Sequence, residues 1–468
     1  MAKKNFSRRQ FLKATAGFSG AYLGSRFLSP LSAIWAQEGL PFEVDPEAVN
    51  PLGLEAGKSV EGIFFEGGFG RDYIDNAADI FRKLHPENDM TVEGIQRVQE
   101  VLQPRFVAGN PPDVIDNSGA GNIPNDSLVA EDQLADLAPL MEALSLDTPG
   151  KTFAETLFPG SQDTGVFNGK QLMLNIAFTV SGVWHSQSLF EEKGWEYPQT
   201  WDDMLALCDT IKAAGISPWT YQGKYPQYMV FGVLMPLVYK VGGMDTLKAL
   251  DNLEPDAWKS DAVLQALQMT YQLAENDYIL PGTEGLTHTE AQAEWLQGKA
   301  VFIPCGTWLE NEMRDLTPEG FNMVIKPVPG PTAADYASIL AWPGEPYIVP
   351  KNAANVVGGM EFMRCMMSKH NAQFFAQQIS AIMPVFGGSE GIELSTALKS
   401  ALDAAEAAGD ELFNYFWKDW YNDLNNATRD AMGELLTKRS TPEKFADTVQ
   451  QVADDVKNDP EIPKYTHE

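Results

Sequence analysis

Apolar residues along this chain alternate between short runs of strand length and stretches at helical spacing. A run at 59–65 reads as a strand ending on Glu66-Gly67-Gly68-Phe69-Gly70. Ile74, Ala77, Ala78 and Phe81 then recur at helical spacing, predicting a helix over 72–84. A strand at 90–95 and a helix near 96–108 follow. Gly109-Asn110-Pro111-Pro112 forces a loop before a buried strand end, Asp113-Val114-Ile115-Asp116. Strand–helix–strand–helix–strand order implies a parallel sheet with right-handed crossovers. Ligands of such sheets bind beyond the carboxyl ends of the strands, where 66–70 and 116–119 lie.

The stretch 169–201 is organised differently. Asn168-Gly169 reads as a tight turn, because glycine accepts the positive φ such turns need. Two strands are expected at 172–178 and 180–184, then a short helix over 188–193 stopped by Gly194. Thr200 is a good N-cap for a long helix over 201–214, with Asp202 and Asp203 complementing its dipole. Beyond it, strands are expected at 216–221 and 322–328. Helices are expected near 229–241, 261–275, 289–296 and 356–368, and in the tail at 401–408, 411–425 and 442–457.

Several of these segments resemble family 1 extracellular solute-binding proteins, the sugar-capturing components of ABC importers. Gly169-Lys170, Gly194 and Pro198-Gln199-Thr200-Trp201 match the family's lobe crossover, although its aromatic-Tyr-Asn has become Trp184-His185-Ser186. Gly298-Lys299, a strand, and Gly306-Thr307-Trp308 match its Gly-Lys and Gly-x-Trp elements. Pro112-Asp113-Val114 and Ile382-Met383-Pro384-Val385 match two further steps. The resemblance implies an α/β, two-lobed periplasmic-binding-protein fold of type II, its discontinuous lobes joined by crossover hinge strands. The expected division is 37–165 plus 331–380 for one lobe and 166–330 plus 381–468 for the other. It further implies a solute held in the cleft between lobes, a membrane permease as partner, and no catalysis. The layout is similar to that of members taking N-acetylglucosamine and chitobiose.

The first 36 residues change the picture of where the chain works. Ser7-Arg8-Arg9-Gln10-Phe11-Leu12-Lys13, a mildly apolar run and Ile34-Trp35-Ala36 follow the order of a twin-arginine export signal, with cleavage expected after Ala36. No lipobox cysteine follows, so a periplasmic or secreted, unanchored monomer is expected. With 34 Lys+Arg against 64 Asp+Glu, the chain is a poor partner for nucleic acid. The acidity fits solubility, and leaves a cationic solute such as a polyamine open. Cys208, Cys305 and Cys365 share no metal or redox spacing and read as buried free thiols. The five histidines show no ligand spacing, so neither metal nor cofactor is expected. The glycines at 67–70 lack the spacing of a phosphate loop.

Sugar rings have an apolar C–H face and a polar rim, so their sites need flat aromatics beside carboxylates or amides. Phe69, Trp219, Tyr225, Tyr228, Trp308, Trp342, Tyr347 and Trp417 sit at expected strand or turn ends beside polar residues. Glu66, Asp116, Asn117, Gln222, Glu310 and Glu345 could supply the polar rim. By resemblance to maltodextrin-type binders, the first strand end, the Pro-Asp-Val strand end, the aromatic-Pro loop, Gly-x-Trp and the late Trp helix form the sugar site. A carbohydrate-active enzyme remains a rival, its acid/base pair drawn from Glu66, Asp116, Glu310 or Glu345. An exported redox protein is a weaker one, because no haem, iron–sulfur or dinucleotide motif is present.

Overall fold

A computed structural model describes residues 39–119, 121–158 and 161–467; the expected export signal lies outside them. The strands in chain order are β1 (Val60–Phe65), β2 (Met90–Ile95), β3 (Val114–Asp116), β4 (Val166–Phe167), β5 (Lys170–Gln171), β6 (Leu174–Ser186), β7 (Ser217–Trp219), β8 (Ala300–Gly306), β9 (Met323–Lys326), β10 (Ile339–Ile348) and β11 (Leu412–Phe413). The chain divides into two units. The first holds 39–178 and 343–394; the second holds 179–342 and 395–467. The boundaries fall within β6, within β10 and ahead of Ser395, each about a dozen residues later than sequence reading places them.

In the first unit, β1 pairs in parallel with β2 and with β3, and the Tyr347–Ile348 end of β10 runs antiparallel to β3. The helix Asp72–Leu84 covers this sheet because Tyr73, Ile74, Ala77, Ala78, Ile80, Phe81 and Leu84 all fall on its buried face. The helix Val356–Met366 packs on it, with Asn355 accepting the Gly358 N–H as its cap. Between them a buried polar knot forms: Glu361 accepts from Arg364 (2.9 and 2.5 Å) and lies 2.8 Å from His85 Nε2. The β4–β5 hairpin turns on Asn168 and Gly169, both at positive φ (52° and 76°).

In the second unit, β6 pairs antiparallel with β8 and β9, and β7 pairs in parallel with β8. Ser186 caps the helix Gln187–Lys193, which Gly194 ends at φ 66°. The Thr200 hydroxyl accepts the Asp203 N–H and starts Trp201–Ala213. A long apolar helical stretch, 227–251, lies largely inside this unit and includes a π-turn at Val230–Leu234. The strands expected at 172–178 and 180–184 are one strand, β6, with every position buried. Burial on both faces removes the alternation that would have shown its continuity. The three cysteines are buried and unbridged.

Candidate functional site

In the second unit, β8 delivers the chain to Gly306 and Trp308. A Cβ on Gly306 would lie 2.0 Å from an indole carbon of Trp308, so the indole folds back over the strand end where that methyl would sit. The π-turn brings the matching rings. Gly232 rests on Pro304 of β8, where a Cβ would approach to 2.6 Å, and this close seating carries Tyr228 and Phe231 to Trp308. Trp342 of β10 completes the group. Ring centroids are 6.0 Å apart for Tyr228–Trp308 and Phe231–Trp308, 5.6 Å for Phe231–Trp342 and 6.3 Å for Trp308–Trp342, all edge-on. Trp308, Tyr228, Phe231 and Trp342 all keep part of their surface accessible. Lys418, ion-paired with Asp419, holds its Nζ 5.6 Å from the Trp342 ring centre and 5.5 Å from that of Tyr415.

A polar nest adjoins the rings. Glu312 accepts from Gln292 Nε2 at 2.5 Å and lies 3.4 Å from His288 Nε2, raising the His288 pKa. The Tyr225 ring packs on His288 at 5.7 Å. Burial pushes the Tyr228 phenol well above its usual range, so it stays a neutral hydroxyl.

The first unit gathers its polar candidates at the end of β3. Asp116 is fully buried; its Oδ1 accepts from Ser118 Oγ. Tyr347 stands opposite it in the β3–β10 register and shares a 3.0 Å hydroxyl contact with Tyr73. Glu345, two residues earlier, is held at φ 56°, a left-handed conformation unusual for a non-glycine residue. Burial and the Glu345 charge drive the Asp116 carboxyl well above its ordinary value, so the two carboxyls resist carrying two charges together. Glu66 is exposed at the end of β1, its carboxylate lying over Gly94.

The remaining candidates serve the scaffold. Trp219 is buried against Phe302. Trp417 is buried against Trp258 and Tyr415. Phe69 packs edge-on to Phe375 inside the first unit. The Asn117 side chain pins its own loop, donating to Ile123 O and Asn125 Oδ1 and accepting from Ile123 N. Gln222 donates to Pro304 O. Glu310 accepts from Ser395 Oγ at 2.8 Å, and burial raises its pKa. Sequence reading missed Phe231 and Lys418. Phe231 sits in an unbroken apolar run, and a lysine between tryptophan and aspartate reads as solvated surface. Among the described residues, no group of three His, Cys, Asp or Glu could hold a metal ion.

Residues 67–373 match the family model of bacterial extracellular solute-binding proteins. The chain is 35% identical over 428 residues to the diacetylchitobiose binding protein NgcE of Streptomyces coelicolor, covering 90% of this chain and 89% of that one. It is 24% identical over 240 residues to the multiple sugar-binding protein of Streptococcus mutans, covering 49% and 52%. Among solved structures, a chitin oligosaccharide binding protein superposes with TM-score 0.71 at 19% identity, over 85% of this chain and 98% of that one. Maltose-bound MalE3 of T. maritima superposes with TM-score 0.69 at 16% identity, over 85% and 100%. These likenesses identify the fold as the mixed α/β type II solute-binding class.

Proposed function

We propose, from the premise that the chain belongs to the family of bacterial extracellular solute-binding proteins, that it captures diacetylchitobiose or a similarly short chito-oligosaccharide and delivers it to an ABC importer's permease. The observation carrying this reading is the ring cluster of Tyr228, Phe231, Trp308 and Trp342, gathered at the end of β8 with surface left accessible. Pyranose rings present apolar C–H faces that stack on such rings, and acetamido groups add methyls that prefer them to water. Tyr225, Tyr228 and the Glu312–His288 pair would meet hydroxyls and amides. Within the first unit taken by itself, Glu66 and Glu345 are the polar candidates that keep surface accessible, while Asp116 and Tyr347 are buried.

Binding alone is the task, since relatives of this family are named for what they bind. Export by the twin-arginine route and action as a monomer outside the cytoplasm complete the reading. A thermal-shift titration tests it. At a hundred times Kd, a ligand specific for the folded state adds about 2.7 kcal/mol of stability. Diacetylchitobiose should raise Tm in the native protein and, at the same concentration, by less than half as much in W308A. A larger rise with maltose or spermidine would redirect the ligand. Conversion of diacetylchitobiose to monosaccharide would make the protein an enzyme instead.

A further inference from the structure

Asp251 lies at the end of the helix Met235–Asp251, fully buried in the second unit. Its Oδ1 accepts the backbone N–H groups of Phe416 (2.7 Å) and Trp417 (2.8 Å), the entry to the short helix Trp417–Trp420. Its Oδ2 lies 2.7 Å from His467 Nδ1. A buried carboxylate is costly unless such donors surround it, so the three contacts stand or fall together. The segment carrying His467 is tied down twice more. Asn252 and His467 exchange hydrogen bonds (Asn252 Nδ2 to His467 O, 3.0 Å; His467 N to Asn252 Oδ1, 2.7 Å), and the Tyr465 N–H donates to Tyr421 OH at 3.1 Å. The His467 ring also stands edge-on to Phe416 at 4.7 Å.

The residues so anchored flank Lys418, whose side chain, only 15% exposed, reaches over Trp342. We infer that His467, acting through Asp251, is a positioning residue for the ligand-stacking ring: it fixes the Trp417–Trp420 turn so that Lys418 holds Trp342 in place. A ring already held costs less ordering when a sugar arrives, which is where affinity is gained. The inference deepens the sugar-binding reading and rests on Trp342 belonging to that site.

The test is a double-mutant cycle with a ligand-free companion. K418M should weaken diacetylchitobiose binding about two- to fivefold, the span of a partly exposed cation–π contact. H467A should weaken it alike, and K418M/H467A no further. H467N, whose amide nitrogen replaces Nδ1 as donor, should bind as the native protein does. Without ligand, the Trp342 indole N–H resonance, assigned by its loss in W342F, should shift in both K418M and H467A. Multiplying losses in the double variant, or an unmoved resonance in H467A, would overturn the inference. A native protein that binds no chito-oligosaccharide overturns the sugar reading, and the indole resonance then decides the positioning role by itself.

Discussion

Gly306→Ala is the sharpest perturbation the second unit offers. Gly306 has no positive φ, so the backbone accepts alanine and only space is at issue. The added methyl would meet three Trp308 ring carbons at 2.0, 2.4 and 2.5 Å, against the ~3.5–4.0 Å at which carbons attract. The indole must therefore move by about 1.5 Å or more. Overpacking of this kind costs about 1–3 kcal/mol, and in a unit of this size each kcal/mol lowers Tm by about 2–4 °C. Binding should suffer more than folding. A displaced ring loses its edge contacts with Tyr228, Phe231 and Trp342, and losing a central aromatic anchor costs about 2 kcal/mol or more, roughly thirtyfold in Kd. Isothermal titration of diacetylchitobiose into native, G306A, W308A and G306A/W308A protein measures this. G306A should approach W308A, and the double variant should match W308A, there being no indole left to collide with. A G306A protein that binds within twofold of native would refute the argument, because Trp308 would then be irrelevant to the ligand or free to move without cost.

Three further outcomes are expected. Asp116 keeps a proton in the folded protein that the unfolded chain releases near its ordinary value of 3.8, so its contribution to stability is full below that value and is lost as pH rises toward its raised folded pKa. Melting curves across the acid-to-neutral range should show native protein losing Tm relative to D116N, and parallel curves would contradict the shift. Lys240 Nζ donates to Asp335 O, Tyr336 O, Ser338 O and Ser338 Oγ at 2.7–3.0 Å; K240M strands these acceptors and should cost at least about 3 kcal/mol in urea unfolding, while a loss under 1 kcal/mol would argue for water taking the lysine's place. Burial holds the thiols protonated, Cys208 at about 12, so an aromatic disulfide reagent should find no reactive cysteine in native protein and three in guanidinium.

Much of the scaffold was legible because it is locally encoded. The helix Asp72–Leu84, the strands β1 and β2, the Thr200 cap and the Gly194 stop fall where spacing and capping chemistry put them. The Gly-x-Trp element was visible in sequence, but not that Gly306 leaves the space into which the Trp308 ring folds back. What escaped was decided by distant packing. Trp219 and Trp417 look like Trp308 in sequence, yet Phe302 and Trp258 cover them. Lys418 acquires its role only because Asp251, far away in the chain, anchors the turn that carries it. Two of the unit boundaries escaped for a related reason: β6 and β10 pass from one unit to the other within a paired strand, even where Pro343 and Gly344 follow the passage in β10.

Those uninterrupted passages bear on the order in which the protein can be made. The backbone changes unit three times, after residues 178, 342 and 394. The helix Val356–Met366, needed to seal the first unit, leaves the ribosome about 280 residues after the helix it packs against. The second unit likewise waits for Pro442–Asn458. Neither core has all its parts until these late segments are synthesised, so apolar surface that the finished units bury stays open on the nascent chain until nearly all of it has emerged.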